Sequence, residues 1–286
     1  MRLTILGSGG GSGVPNPFCL CTNCEAVRRA GGRSLRNAPA VLINGDLLID
    51  CGPDVYNSAK QLGVHLNGLR TLVITHRHSD HLDPWFFWGR RGVVDTELPL
   101  LTVYAPQDVL DQVFAFYERN VQWDRAALEA QTRTAWRSVR AGMMKLAGRY
   151  RLHFFPATHG EGQLEAVLVG VQDAHGAYLH CYDTGPLTDE AWAMLARHRF
   201  DLVALDACIG GETGYQNPEH LNGPQTIDHA RRMRESGILK PEGVALATHF
   251  VHQAAGAHED LVAYYEPHGL TVSYDGLELA VGADGG

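Results

Sequence analysis

The sequence has no apolar run long enough to span a membrane, and its first residues do not predict a signal peptide. A transmembrane helix needs roughly 18 or more consecutive apolar residues, and no stretch of the 286-residue chain approaches that length. Residues Met1 to Gly7 lack the apolar core and the small-residue cleavage site of a secretory leader. They predict instead a strand that runs directly into a glycine-rich loop. We therefore expect a cytoplasmic protein without a membrane partner.

Tracts of lysine or arginine are also missing. The 24 basic and 32 acidic residues give a formal net charge of −8. Nucleic-acid-binding proteins usually carry a basic patch, so the balance disfavours a nucleic-acid partner, although a local patch within an acidic total stays compatible with it. Low-complexity segments and interdomain linkers are absent as well. We expect residues 1–286 to form a single domain.

Short apolar runs between turn-forming residues alternate with helical patterns, which is typical of the α/β class. Between residues 82 and 150 the sequence predicts a helical insertion. It contains two predicted helices, Gln107–Asn120 and Asp124–Arg140, and four consecutive aromatic residues, Trp85 to Trp88. Such an insertion could form a lid or the surface of a homodimer.

Two short segments of the first half of the chain recur in the second half. The segment 48–53 (LIDCGP) is echoed by 181–186 (CYDTGP), and 71–76 (TLVITH) is echoed by 244–249 (VALATH). Chance could explain either echo alone, but two echoes in the same order favour a duplicated ββ unit. Each half then offers an aspartate at one strand end and a histidine at a later one, where α/β folds place their chemistry.

The segment Thr75-His76-Arg77-His78-Ser79-Asp80-His81 is the strongest motif. It follows an apolar strand, and imidazole and carboxylate groups are ligands that Zn²⁺ and similar metals favour. Alternating His76 and His78 can face one ion. The Asp80-His81 pair cannot comfortably serve that same ion, but it can serve a second one about 3.5–4 Å away, as in dinuclear hydrolases.

The pattern His-x-His-x-Asp-His resembles the signature of the metallo-β-lactamase superfamily. That family has a four-layer αββα sandwich and uses further ligands in a fixed order along the chain. Asp50, His159, Asp183 and His249 fill those places in order, so the resemblance covers nearly the whole chain. It also accounts for the internal duplication.

The resemblance implies a role for each of these residues. One divalent ion, zinc or manganese, would be bound by His76, His78 and His159, and the other by Asp80, His81 and His249. Asp183 would bridge the two ions, and Asp50 would orient the loop or an imidazole from behind. The remaining histidines lack comparable context and are expected at the surface or satisfied in the core; they include His65, His153, His175, His180 and His198.

Three of the six cysteines, Cys19, Cys21 and Cys24, fall within six residues. In a cytoplasmic protein such a cluster is more often a metal site than a disulfide framework. The cluster resembles the phosphoribosyl cyclic phosphodiesterase branch of the superfamily, in which three cysteines and a late histidine share a structural zinc. His252 would supply the fourth ligand here. The other cysteines, Cys51, Cys181 and Cys208, are expected to be small buried hydrophobic residues.

Two metals would lower the pKa of a bridging water, and the resulting hydroxide would attack the substrate. Such a centre can cleave phosphodiesters, lactones, amides or thioesters. His220 favours a small phosphodiester, linear or cyclic, because phosphodiesterases of the superfamily place a phosphate-contacting or proton-donating histidine in this interval. A surface role is the alternative for His220. We count His220, Asp80 and Asp183 as catalytic.

Three other functions stay open. The first is tRNA 3′-end processing, which should show an RNA-gripping arm and a basic face. The second is a lactonase or another carbonyl hydrolase. The third is a noncatalytic accessory protein similar to the B protein of PQQ biosynthesis, against which the intact ligand set argues.

Overall fold

The computed structural model describes residues 1–160, 162–211 and 217–282. Within these ranges two seven-stranded sheets pack face to face, and helices cover the outer face of each sheet. The predicted four-layer αββα sandwich is therefore confirmed.

The first sheet has the strand order β14-β1-β2-β3-β4-β5-β6, with the run from β3 to β6 parallel. Its strands are β1 (Arg2–Gly7), β2 (Ala40–Ile43), β3 (Leu47–Ile49), β4 (Thr71–Val73), β5 (Leu101–Ala105), β6 (Thr134–Ser138) and β14 (Glu278–Ala280).

The second sheet has the order β13-β12-β11-β10-β9-β8-β7, with the run from β10 to β13 parallel. Its strands are β7 (Met144–Ala147), β8 (Tyr150–Pro156), β9 (Val167–Gln172), β10 (Ala177–Cys181), β11 (Phe200–Asp206), β12 (Leu239–Thr248) and β13 (Leu270–Val272).

The helices fall into two groups that cover the sheets, together with one helix next to the N-terminal loop. They are α1 (Thr22–Ala30), α2 (Val55–Gln61), α3 (Gln107–Val121), α4 (Arg125–Thr132), α5 (Asp189–Leu195), α6 (Gly223–Glu235) and α7 (His258–Tyr265), with short 3₁₀ turns at Gly32–Ser34, Pro84–Arg90 and Glu266–His268. Across the described ranges, none of them combines the length and the apolar character that crossing a bilayer requires.

Burial explains the layering. The central core lies between the sheets and includes Ile5, Phe154 and Tyr178. A second core fills the space between the first sheet and α2, α3 and α4, and a third lies between the second sheet and α5, α6 and α7. Strands buried on both faces read as continuous apolar runs, which is why they were visible in the sequence.

The predicted helix Asp124–Arg140 is wrong beyond Thr132. Arg133 takes a left-handed conformation that ends α4, and β6 follows at once. Trp136 pairs with Val103 of β5 and is 2% exposed. Burial of this indole against a neighbouring strand outweighs the local helical pattern. Thus the segment 82–150 supplies β5 and β6 to the first sheet and β7 to the second, in addition to α3 and α4.

The carboxyl ends of the parallel strands lie at one edge of the sandwich. The first sheet brings Asp50 there after β3 and the 75–81 loop after β4. The second sheet brings Asp183 after β10 and the loops that follow β11 and β12. Residues far apart in the chain therefore meet at this edge.

Gly52 and Gly185 occupy equivalent places in the two echoed segments. A Cβ atom on Gly52 would lie 1.8 Å from the backbone oxygen of Asp80, and one on Gly185 would lie 1.8 Å from that of Pro218. Each glycine lets a strand-end loop press against a second loop at the same edge. The aspartates two residues earlier have left-handed φ angles of 62° (Asp50) and 46° (Asp183), conformations that persist only where the surroundings fix them.

We predict that Gly185→Ala lowers the free energy of unfolding by roughly 1–3 kcal/mol. The new methyl group would overlap backbone atoms, which cannot move aside as a flexible side chain can. Gly52→Ala should have a similar effect. Gly211→Ala is the matched control, because a Cβ there meets its nearest neighbour, Tyr264, at 3.5 Å. Thermal melting measures the effect; unchanged melting temperatures for the first two variants would contradict the prediction.

Candidate metal centre

Three imidazoles converge at the exposed side of the site. His78 Nδ1 lies 3.1 Å from His76 Nε2 and 3.1 Å from His159 Nε2. His159 Nδ1 lies 3.3 Å from the backbone oxygen of Glu219. If it donates a proton there, its Nε2 is left free as a ligand. These three histidines could hold one metal ion.

A second set combines two carboxylates with two imidazoles. Asp80, His81, Asp183 and His249 each offer one ligand atom, all within 4.8 Å of one another. His249 Nε2 lies 3.6 Å from Asp80 Oδ2, and His81 Nε2 lies 3.5 Å from the same oxygen. This is a second possible position for a metal.

Asp183 lies between the two sets. Its Oδ2 atom contacts His81 Nε2, lies 3.4 Å from His249 Nε2 and is 3.5 Å from His76 Nε2. One carboxylate oxygen therefore faces ligand atoms of both sets, as a bridging ligand requires.

The polar atoms that point into the second set lack hydrogen-bond partners. Among the described residues, His81 Nε2, Asp183 Oδ2 and both ring nitrogens of His249 are buried and face charged neighbours without an assigned hydrogen bond. Buried polar atoms without a hydrogen bond are rare in native proteins, and an ion in this set would satisfy His81 Nε2, Asp183 Oδ2 and one nitrogen of His249. The donor set of imidazoles and carboxylates is also one that zinc and manganese accept, so the residues present fit two divalent ions.

The pKa shifts of His81 and His249 indicate that the buried carboxylates favour positive charge at this site. Burial would lower the pKa of His81, but the carboxylates of Asp183, Asp80 and Asp50 raise it well above its usual range. Burial likewise opposes protonation of His249, yet Asp183 raises its pKa to about 10. Protons on these rings compensate buried carboxylates, and metal cations can replace them.

Asp50 lies behind the second set. Its Oδ2 atom is 2.7 Å from His81 Nδ1, and its Oδ1 atom accepts a hydrogen bond from the Thr75 backbone at 2.8 Å. His180, one of the histidines expected to be satisfied in the core, is buried with Nε2 at 3.7 Å from Asp50 Oδ2. Burial would raise the pKa of Asp50, but His81 and His180 hold it below its usual range. Asp50 therefore orients His81 through a charged hydrogen bond.

Asp206 is a site residue that the sequence patterns did not indicate. It is fully buried at the end of β11, where its Oδ2 atom lies 2.9 Å from His220 Nδ1 and 3.2 Å from the Thr184 amide. Burial would lower the pKa of His220, but the Asp206 carboxylate raises it to about 12. The available signal was the apolar strand Leu202–Leu205, which runs directly into Asp206.

Cys208 is buried as expected, but its surroundings are not purely apolar. Its sulfur lies within 4.8 Å of ligand atoms of Asp206, His220 and His249. The thiol is therefore part of the wall of the site. Cys51 and Cys181 are fully buried in the hydrophobic cores.

The glycine-rich loop after β1 packs directly on the site. The Gly11 amide donates to Asp80 Oδ2 at 2.7 Å, and a Cβ on Gly10 would lie 2.6 Å from His249 Cε1. Only glycine allows the backbone to approach the imidazole this closely. The loop thereby contacts Asp80 from the first half of the chain and His249 from the second half.

The cysteine cluster assembles beside that loop. Cys19, Cys21, Cys24 and His252 place their ligand atoms within 4.8 Å of one another, with Cys24 Sγ 3.5 Å from His252 Nδ1. The Cys24 amide and then His252 lower the pKa of the Cys21 thiol to about 6, which favours the thiolate form that metals bind. Three sulfurs and one imidazole suit a closed tetrahedral zinc site.

The model of the beta-lactamase superfamily domain matches residues 46–250. The chain belongs to this superfamily. The matched residues 46–250 include every residue of the two active-site ligand sets. The cysteine cluster and His252 lie outside it.

Curated relatives match only parts of the chain. The superfamily protein is 34% identical over 119 residues to an octanoyltransferase from Porphyromonas gingivalis, covering 40% of this chain and 22% of the relative. It is 37% identical over 82 residues to a ribonuclease Z from Mycobacterium avium, covering 29% and 24%. The chain thus spans less than a quarter of the length of these two relatives.

Among the solved structures that match over nearly the whole chain is that of a diphosphatase from the PhnP family, with a TM-score of 0.70 and 22% identity over 99% of each chain. At this identity the likeness establishes the fold.

We predict that His249→Ala and His252→Ala fail in different ways, although three residues separate them. His249→Ala should lose one active-site metal and its turnover while leaving the fold largely intact, with a smaller drop in melting temperature than His252→Ala. His252→Ala should weaken the structural zinc, expose the three thiols and lower the melting temperature, because a closed zinc site contributes directly to folding free energy. Elemental analysis, thiol titration and thermal melting measure these effects.

The wild type should carry three ions per chain when purified without chelator. One ion per chain with freely titratable thiols would disprove the assignment. Matching thermal and kinetic defects in the two variants would show that the ligands are divided differently.

Proposed function

We propose that this protein is a two-metal phosphodiesterase that hydrolyses a small phosphodiester, linear or cyclic. The observation that carries the proposal is His220, which lies beside both ligand sets while neither set needs it. Its Nδ1 atom is 2.9 Å from Asp206 Oδ2 and 3.4 Å from Asp183 Oδ1.

The Asp206–His220 pair has the arrangement of a positioned general acid. The carboxylate accepts from Nδ1 and leaves the Nε2 proton on the opposite edge of the ring. His220 would give that proton to the leaving oxygen as the phosphorus–oxygen bond breaks and would regain one from solvent. Positive charge in the neighbouring metal sets would bring its pKa down toward the working pH.

The remaining residues hold the centre in place. His76, His78 and His159 would bind one ion, Asp80, His81 and His249 the other, and Asp183 would contact both. Bound there, the ions would make water nucleophilic near neutral pH and neutralise charge on the phosphate. Asp50 and the Gly10–Gly11 backbone keep the ligand groups oriented.

Similarity to a diphosphatase of the same fold supports chemistry on phosphate esters. The local similarity to ribonuclease Z favours a second candidate, cleavage of precursor tRNA. The formal net charge of −8 argues against it, because RNA binding draws most of its affinity from cationic contacts. Precursor tRNA therefore belongs in the same assay as the small diesters.

We predict that His220→Ala lowers kcat on alkyl phosphodiesters by about 10²–10⁴-fold, the usual contribution of a positioned acid, while metal content stays at the wild-type value. The loss on a p-nitrophenyl ester should be smaller, since p-nitrophenolate leaves without protonation. Asp206→Asn should show the same dependence on leaving group with a smaller loss.

Steady-state kinetics on both ester types, with elemental analysis of each variant, make the measurement. An equal loss of kcat on both esters would indicate that His220 contacts the phosphate but does not protonate the leaving group. Full activity of His220→Ala would remove the main support for phosphodiester chemistry. Hydrolysis of neither ester by the metal-loaded wild type would overturn the proposed function.

A further inference from the structure

A cavity of about 550 Å³ lies beside His220. One wall comes from the loop after β11 and includes Ile209. Another comes from the loop after β12 and includes Val251 and Ala254. The cavity is therefore formed by the second sheet and lies on one side of the candidate metal centre.

The position of His220 relates this cavity to the reaction. Its Nδ1 atom is occupied by Asp206, so the rest of the ring is left to border the cavity. A group that receives a proton from His220 departs on the side of the ring that carries Nε2. Because His220 also lines the cavity, the cavity is the candidate place for the leaving group.

Among the described residues that line the cavity, His220 is the only one with a basic side chain. Apart from His220, the described lining side chains are apolar or neutral: Cys208, Ile209, Asn217, Val251, Gln253 and Ala254. The sequence contains no lysine or arginine from 200 to 230 or from 241 to 286, and this includes residues 212–216 outside the described ranges. The charge of His220 is already balanced by Asp206.

Basic residues gather instead at the other end of the same sheet. Arg197, Arg199 and Lys240 line a cavity beside Phe200, where β11 begins, whereas Asp206 ends that strand. Burying an anion without a paired cation is costly. An anionic leaving group is therefore disfavoured at the catalytic edge.

We propose that the cavity beside His220 receives an uncharged leaving group with an apolar face, and that it discriminates against leaving groups that carry a second negative charge. This inference rests on the proposed phosphodiesterase function. It assigns to the enzyme diesters with one neutral alcohol or phenol arm, and it excludes RNA and phosphorylated alcohols as preferred leaving groups.

The test compares two nearly isosteric substrates, methyl 4-carbamoylphenyl phosphate and methyl 4-carboxyphenyl phosphate. The phenol is the better leaving group in both, and only one phenol carries a charge at neutral pH. The metal-loaded wild type should prefer the neutral ester by about tenfold in kcat/KM, mainly through KM, as expected for an uncompensated charge at short range.

The two esters also differ in intrinsic chemical reactivity. This difference drops out when the kcat/KM ratio of the two esters is compared between variants of the exposed residue Gln253. Gln253→Arg should shift the kcat/KM ratio about tenfold toward the carboxylate ester, and Gln253→Glu should shift it the other way. Leu146→Arg adds the same charge at a position that is 69% exposed on β7, and it should leave the ratio unchanged.

Equal kcat/KM for the two esters in the wild type, or the same ratio in both Gln253 variants, would overturn the inference while leaving the phosphodiesterase function standing. A shift of equal size in Leu146→Arg would also overturn it, because the effect would then be one of global charge. Hydrolysis of neither ester would overturn both the function and the inference.

Discussion

The carboxylate of Asp183 is the group around which the site is arranged. One of its oxygens faces His76, His81 and His249, and the other lies 3.4 Å from His220 Nδ1. Burial would raise its pKa, but His249 and His81 hold it well below its usual range. Its negative charge is thus maintained inside the protein by imidazoles from both halves of the chain. The loops after β4, β11 and β12 each supply at least one imidazole that faces this carboxylate.

Local spacing was sufficient to place four of the seven predicted ligands close together. His76, His78, Asp80 and His81 lie within six residues after one strand, so their proximity follows from the sequence itself. His159, Asp183 and His249 were assigned from the resemblance to the superfamily, whose ligands follow this order, and the two sheets bring all three to the same edge. The four-layer fold was equally accessible, because strands buried on both faces leave continuous apolar runs.

What the sequence did not reveal depends on contacts between distant segments. The echo of 71–76 in 244–249 aligned β4 with β12 and passed over β11, so Asp206 at the end of β11 was missed. The segment after Thr132 has a helical pattern locally, but pairing with β5 and burial of Trp136 make it a strand. The edge strands β7 and β14 are short and partly exposed, which leaves little apolar signal to detect.

The contact between Cys24 and His252 joins positions 228 residues apart in the chain. At a synthesis rate of about 5–20 residues per second, His252 leaves the ribosome roughly 10–50 s after the thiols. During that interval the three cysteines lack their imidazole partner, and His249 is missing from the second ligand set. An ion that requires either complete set of ligand candidates can therefore be bound only late in synthesis, when every strand of the second sheet except β13 has been made. During synthesis, the cluster of Cys19, Cys21, Cys24 and His252 is therefore completed only when most strands of both sheets already exist.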